Sequence, residues 1–98
     1  MNTPQGAYNF LVNYVNENGA AYSGWYAGIA ADPRDRLISG HGVEIDQDAW
    51  AYDFVPTSEE ARQVEVALIA LGCGGRAGGG DNTTNGIYVY KKTRNTRE

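Results

Sequence analysis

Three polar residues on separate segments have the types and spacing of a site for phosphate chemistry. Arg36 follows Tyr26 by ten residues, and Glu65 lies further along the chain. Arginine presents a planar, permanently charged fork that fits phosphate oxygens, and a carboxylate is a ligand that suits Mg²⁺ or Mn²⁺. A tyrosine hydroxyl can orient or deprotonate an attacking water. Together these residues predict metal-dependent phosphodiester hydrolysis, provided that the fold brings them into one polar site.

The elements that carry these residues predict an α+β fold, with helices packed on a small antiparallel sheet in the order β-β-α-β-α-β. Residues 8–15 are rich in β-branched and aromatic side chains, and a turn signal follows at residues 16–19. A second strand over residues 21–30 would complete a hairpin. In a symmetric hairpin, Tyr8 would lie opposite Tyr26.

The middle of the chain predicts a short helix and two further strands. Asp32 is a good N-cap, and Pro33 suits the first helical position, so a helix is expected to run to about Ser39. Alternation over Ala49–Val55 predicts a third strand, and Gly86–Tyr90 predicts a closing strand.

The main helix is predicted from Ser58 to about Leu71. Thr57 and Glu60 form a capping box at its start. Glu65 falls inside the apolar stripe of this helix, where a carboxylate needs a cation, a metal or a water-filled pocket. The stripe itself consists of Ala61, Val64, Leu68 and Leu71.

Length and composition predict one globular domain over residues 1–92, followed by a disordered basic tail over residues 93–98. The chain has a single cysteine, Cys73, and its first residues lack the pattern of a signal peptide, so a cytoplasmic location is expected. No apolar run approaches the length needed to span a membrane.

Charge is unevenly distributed along the chain, whose net charge is −4. Residues 1–90 carry 11 acidic and 4 basic side chains, whereas residues 91–98 carry 4 basic and 1 acidic. Affinity for nucleic acid comes largely from clustered Lys and Arg. The acidic body therefore disfavours tight nonspecific binding to nucleic acid.

The segment Trp25–Leu37 resembles the second signature of the GIY-YIG endonuclease family, in which a strand carrying Tyr-x-Gly-Ile leads to a short helix ending in Arg-Leu. The segment Thr57–Ile69 is similar to the later helix of that family, which holds the metal-binding glutamate. Gly6-Ala7-Tyr8 resembles the first signature, and the order of these segments agrees with the family.

The resemblance implies a metal-dependent endonuclease that acts on nucleic acid, with DNA preferred over RNA. It assigns catalytic roles to Tyr8, Tyr26, Arg36, His41 and Glu65. Glu65 would hold Mg²⁺ or Mn²⁺, and His41 would assist proton transfer. Substrate contacts would come from Arg34 and Asn82, with Asn85 as an alternative to Asn82.

Other readings remain open. A catalytically inactive module on the same fold would bind a protein or a small phosphorylated ligand, and Glu65 would then be a structural ion-pair partner of Arg36. A third reading is an interaction domain that uses exposed Trp25 and Trp50. The glycine-rich segment Gly72–Asp81 predicts a loop, because no helix follows it as a dinucleotide-binding turn would require.

Overall fold

The computed structural model describes residues 1–19, 21–76 and 79–98, and it shows three helices packed against a three-stranded antiparallel sheet. The predicted α+β class is confirmed. In chain order, the elements are α1 (Pro4–Glu17), β1 (Trp25–Ala30), α2 (Pro33–Asp35), β2 (Trp50–Phe54), α3 (Ser58–Ala70) and β3 (Gly86–Lys91). A 3₁₀ turn, Tyr22–Gly24, precedes β1, and α2 continues into a π-helical turn, Arg36–Gly40. Within the described residues, no helix is long and apolar enough to cross a membrane.

The first element is a helix, so the predicted strand over residues 8–15 and its hairpin are wrong. Thr3 caps α1 by accepting a hydrogen bond from the Gly6 backbone N–H at 3.0 Å, and a proline occupies the first turn. The buried residues Ala7, Leu11 and Val15 recur every four positions, which is helical spacing. The strand propensity of the tyrosines and valines is a weaker preference than the capping and burial that this helix gains.

The sheet has the order β1-β3-β2, so β3 pairs with both other strands. Tyr26 therefore lies opposite Tyr90, and the predicted pairing of Tyr26 with Tyr8 is wrong. In the same register Gly28 lies opposite Tyr88. Because side chains alternate across a strand, Tyr26, Gly28, Tyr88 and Tyr90 all belong to one face of the sheet.

The opposite face of the sheet carries the main apolar core, which α1 and α3 cover. This core contains Leu11, Trp25, Ala27, Leu68, Ile87 and Val89. Trp25 is fully buried, and its indole N–H donates to the Gly19 carbonyl. Trp50 is half-buried and donates to the Ile45 carbonyl. Trp25 is therefore unavailable to an interaction surface, whereas Trp50 is partly exposed.

The helix caps agree with the sequence. The Asp32 carboxylate accepts a hydrogen bond from the Asp35 backbone N–H at 3.1 Å, at the start of α2. Thr57 accepts from the Glu60 backbone N–H at 3.1 Å at the start of α3. The Glu60 side chain differs from a full capping box, because it accepts from the Thr57 hydroxyl rather than from the Thr57 backbone N–H.

The glycine-rich segment lies along the outer edge of β1. The Ala27 backbone N–H donates to the Gly74 carbonyl at 2.9 Å, and the Gly74 N–H donates to the Trp25 carbonyl at 2.8 Å. Residues 77 and 78 of the predicted loop lie outside the described residues. These two bonds pair part of the segment with the sheet, next to Tyr26.

The tail over residues 93–98, for which composition predicts disorder, has defined contacts in the structure. The Arg97 backbone N–H donates to the His41 carbonyl at 2.8 Å. The Lys92 ammonium lies 3.9 Å from the Glu98 carboxylate. The tail thus returns to the face of the sheet that carries Tyr88 and Tyr90.

Candidate functional site

A polar cavity of about 470 Å³ opens where β1, the π-helical turn, α3, the glycine-rich segment and β3 meet. Its polar lining side chains are Tyr26, Arg36, Glu65, Arg76, Asp81, Thr83, Thr84 and Tyr88. Backbone of Gly28, Gly79 and Gly80 completes part of the wall. Residues from widely separated parts of the chain therefore share one solvent-filled space.

Tyr26, Arg36 and Glu65 all lie on the wall of this cavity. Tyr26 is half-buried on β1, and Arg36 is exposed as the first residue of the π-helical turn. Glu65 lies on α3 and is 2% exposed. The three residues that the sequence predicts to share a site are thus brought together by three different elements.

Tyr88 is a fourth functional side chain on the wall, and it is not among the residues predicted for the site. It is 2% exposed and lies opposite Gly28 in the sheet. A β-carbon on residue 28 would overlap the Tyr88 hydroxyl, so glycine leaves the space that this ring needs. The sequence signal for this residue is the tripeptide Gly86-Ile87-Tyr88, which begins the predicted closing strand.

His41 is buried behind the cavity and forms hydrogen bonds through both ring nitrogens. Its Nε2 lies 2.7 Å from the Tyr88 hydroxyl oxygen, and its Nδ1 lies 2.7 Å from the Arg97 carbonyl oxygen. A carbonyl oxygen only accepts hydrogen bonds, so Nδ1 carries the hydrogen and Nε2 accepts from Tyr88. Burial lowers the pKa of His41, and the nearby Arg36 and Arg97 cations act in the same direction. The imidazole is therefore neutral at pH 7.

The π-helical turn explains why Arg36 and His41 both approach Tyr88. The His41 backbone N–H donates to the Arg36 carbonyl at 3.1 Å, an i→i+5 bond that places the two residues one turn apart. The Arg36 cation lowers the pKa of Tyr88, although burial has the larger and opposite effect. The turn thus presents a cation and a base to the same hydroxyl.

Both cavity tyrosines are un-ionised at neutral pH. Burial is the main cause that raises the pKa of Tyr88 far above its usual value, and Tyr26 adds to this effect. Burial also raises the pKa of Tyr26, with smaller contributions from the Glu98 and Glu65 carboxylates. Arg76 and Arg36 lower the pKa of Tyr26 without reversing its direction. Neither phenol can act as a pre-formed phenolate base.

Four of the residues predicted for the site lie outside the cavity wall: His41, which lies behind it, and Tyr8, Arg34 and Asn82. Tyr8 lines a separate groove of about 290 Å³ between α1 and α3. Arg34 and Asn82 are both exposed, although Asn82 lies between two lining residues. The alternative Asn85 has a structural role, because its side-chain amide donates to the Val55 carbonyl at 2.9 Å.

The oxygen donors of the cavity fit a hard divalent cation. Glu65 contributes a buried carboxylate, and Asp81 contributes a second carboxylate on the same wall. Hydrogen bonds from Thr83 lower the pKa of Asp81, so it remains charged. The described residues contain no group of three or more His, Cys, Asp or Glu side chains that could hold a metal ion. Mg²⁺ is suited to such a sparse set, since it keeps several waters and takes one or two carboxylates together with substrate phosphate.

Two basic residues line the cavity despite the acidic body. Arg36 and Arg76 are exposed on its wall. Outside the wall, the Lys92 ammonium lies 3.9 Å from the Glu98 carboxylate, and the Arg97 guanidinium donates to the Ser39 carbonyl at 3.4 Å. The tail also contributes negative charge near the cavity, because the Glu98 carboxylate raises the pKa of Tyr26. No protein-family model, no curated protein and no solved structure matches this chain.

Proposed function

We propose that this chain is a metal-dependent endonuclease of GIY-YIG type that hydrolyses nucleic-acid phosphodiesters, with DNA as the preferred substrate. One observation carries the proposal: Tyr26, Arg36, Glu65 and Tyr88 line a single polar cavity. An arginine can bind and neutralise a phosphate, a carboxylate can hold Mg²⁺ or Mn²⁺, and a phenol can orient an attacking water. A structural ion-pair network would not require a water-filled space around them.

In this proposal, β3 takes the place of the first signature strand. Gly86-Ile87-Tyr88 lies on β3, which is antiparallel to β1, the strand that carries Tyr26. The sequence predicts that the strands of the two signatures form an antiparallel hairpin, and β1 and β3 are antiparallel neighbours. The signatures therefore occur in reversed order along the chain, and Tyr88 replaces Tyr8 as the first tyrosine.

Arg36 supplies the main contact with the phosphate in this proposal. It lies on the cavity wall together with Tyr88, whose pKa its positive charge lowers, and it keeps that charge at any physiological pH. Glu65 would hold the metal ion, with Asp81 as a second oxygen donor. When bound, the metal would polarise a phosphoryl oxygen and stabilise the charge on the leaving oxygen. Tyr26 is un-ionised, and its hydroxyl donates a hydrogen bond to the substrate.

Tyr88 and His41 provide a route for the proton of the attacking water. The Tyr88 hydroxyl oxygen accepts the proton from the water, and the phenolic hydrogen passes to Nε2 of His41, 2.7 Å away. The water oxygen then bonds to phosphorus as the bond to the leaving oxygen breaks. Because both transfers occur together, Tyr88 never carries a full negative charge, which its raised pKa would oppose.

A plasmid-nicking assay with Mg²⁺ and with Mn²⁺ tests the proposal. The unmodified chain is expected to nick supercoiled DNA only when metal is present. Glu65→Gln is expected to abolish nicking, and Tyr88→Phe to lower kcat by about 10²- to 10⁴-fold. Tyr8→Phe is the matched control, because Tyr8 lies outside the cavity and should retain full activity.

The pattern of results separates the nuclease from a binding module. Loss of activity in Tyr8→Phe with full activity in Tyr88→Phe would contradict the replacement of Tyr8 by Tyr88 as the first tyrosine. If the folded chain cleaves neither DNA nor RNA with either metal, the inactive binding module is favoured. In that case, a phosphorylated ligand that occupies the cavity should raise the melting temperature, and Arg36→Ala should remove that stabilisation.

A further inference from the structure

The backbone of Arg97 contacts His41 on the side of the imidazole that faces away from Tyr88. We propose that the Arg97 carbonyl is a positioning group that fixes His41 in the Nδ1–H tautomer, with Nε2 directed at Tyr88. This inference rests on the proposed function for its catalytic meaning. The tautomer of His41, and its selection by Arg97, can be tested independently of that function.

A reciprocal pair of hydrogen bonds joins the two residues. The Arg97 N–H donates to the His41 carbonyl at 2.8 Å, and the Arg97 carbonyl accepts from His41 Nδ1 at 2.7 Å. The same residue thus holds both the backbone and the ring of His41. Two contacts from the backbone of one residue restrict the orientation of the ring more than a single contact could.

The opposite tautomer would be unfavourable in this environment. An unprotonated Nδ1 would direct its lone pair at the Arg97 carbonyl oxygen across 2.7 Å. It would need a donor instead, and the Tyr90 hydroxyl, 3.2 Å from Nδ1, is the group within reach. That hydroxyl lies equally close, at 3.2 Å, to the Arg97 carbonyl oxygen, where it acts as a second donor. The shorter contact from Nδ1 to the carbonyl favours the Nδ1–H tautomer.

The tail has local structure that directs Arg97 toward His41. The Thr93 backbone N–H donates to the Thr96 hydroxyl at 3.0 Å, and the Thr96 N–H donates to the Thr93 carbonyl at 3.2 Å. These bonds form a turn that reverses the chain after β3. The basic tail therefore contributes a neutral backbone group to the site in addition to its charges.

Nitrogen-15 NMR of the full chain tests the tautomer directly. His41 is the only histidine of the sequence, so the long-range imidazole spectrum contains a single ring. At pH 7.5, the expected spectrum shows a pyrrole-like Nδ1 and a pyridine-like Nε2. The reverse pattern, or two equally averaged nitrogens, would overturn the inference.

Two substitutions at one position separate the backbone of Arg97 from its side chain. Arg97→Ala keeps both backbone hydrogen bonds, and it is expected to retain the Nδ1–H spectrum. Arg97→Pro removes the N–H that donates to His41, and it is expected to average the two nitrogen signals. Cleavage by Arg97→Pro should show kcat lowered by about 10- to 100-fold with KM unchanged, in line with the loss of a partner that orients a functional imidazole.

The positioning role of Arg97 and the proposed nuclease function can be contradicted separately. An Nδ1–H spectrum that persists unchanged in a folded Arg97→Pro chain would show that another group selects the tautomer. If the unmodified chain shows the expected spectrum but cleaves no nucleic acid, the proposed function fails while the positioning role of Arg97 survives. If Arg97→Pro does not fold, the spectrum of the unmodified chain still decides the tautomer.

Discussion

Tyr88 lies directly opposite Gly28 in the sheet, and its ring fills the space that a side chain at position 28 would occupy. A β-carbon there would overlap the hydroxyl and would lie 2.9 Å from Cε2 of the ring. Gly28→Ala is therefore expected to displace the Tyr88 ring, to destabilise the fold by about 1–3 kcal/mol and to reduce nicking. Urea denaturation and the nicking assay measure the two effects.

Gly79→Ala is the matched control for stability. Nothing lies within 4 Å of a β-carbon built on Gly79, so this variant should unfold at nearly the same urea concentration as the unmodified chain. Equal stability of Gly28→Ala and Gly79→Ala would contradict the close approach of Tyr88 to Gly28.

His41 sets an expected dependence of activity on pH. Its pKa lies below the ordinary value of 6.5, mainly because of burial, and Nε2 accepts a proton only in the neutral ring. The rate should therefore be constant near pH 7–8 and should fall as the pH drops through the lowered pKa. Single-turnover rates between pH 5 and pH 8 measure this limb. A fall centred above pH 6.5 would contradict a neutral buried base.

The same group affects the stability of the fold in acid. The unfolded chain binds a proton at His41 near pH 6.5, whereas the folded chain binds it only at lower pH. The neutral form of His41 therefore favours the folded state above about pH 6.5. The free energy of unfolding decreases as the pH falls from there through the lowered pKa. Comparison of the unmodified chain with His41→Gln by urea denaturation isolates the effect. Identical pH profiles of the two chains would contradict it.

Arg76 is expected to bind phosphate, whereas Arg34 is not. Arg76 lies on the cavity wall close enough to Tyr26 to lower the pKa of that phenol. In a Tyr88→Phe background that slows cleavage, Arg76→Ala should weaken binding to a labelled DNA duplex by about tenfold. The slope of log affinity against log salt should decrease by about one.

Arg34→Ala, in the same background, is the control. Arg34 is exposed on α2 and lies outside the cavity wall, so its removal should leave affinity and salt slope nearly unchanged. The reverse result, with weakened binding in Arg34→Ala alone, would indicate that the DNA binds away from the glycine-rich segment.

The helical assignment of the first element predicts unequal effects at adjacent positions. Leu11 is fully buried in the core, whereas Phe10 is 47% exposed. Leu11→Ala is expected to destabilise the fold by about 2–5 kcal/mol, and Phe10→Ala by less than about 1 kcal/mol. Thermal unfolding followed by circular dichroism measures both. Similar losses in the two variants would contradict the packing of α1.

Local sequence signals predicted the later elements well. The cap at Thr57 and the apolar stripe placed α3 within one residue of its observed end, and alternation placed β2 and β3. The start of the chain is predicted wrongly because the β-branched and aromatic content of residues 8–15 favours a strand. In the structure Thr3 caps α1 and Pro4 lies in its first turn, and the four-residue recurrence of buried positions from Ala7 onward is helical.

The site was only partly predictable for a related reason. Tyr26 and Arg36 share one continuous motif, so their spacing could be recognised in the sequence. Tyr88 could not be placed beside them without knowing that β3 pairs with β1, since 62 positions separate Tyr26 from Tyr88. The contact between His41 and Arg97 is equally remote, and it depends on a tail turn that composition alone does not reveal.

The central position of β3 has a consequence for how this protein folds. β1 and β2 are joined only through β3, which follows both of them in the chain. A ribosome must therefore synthesise both outer strands before the strand that pairs with them emerges. The helices can form early, but the sheet, and with it the cavity, can assemble only after β3 has left the exit tunnel. Until then, the nascent chain holds two unpaired strands, which makes them the segments most exposed to chaperones or to aggregation.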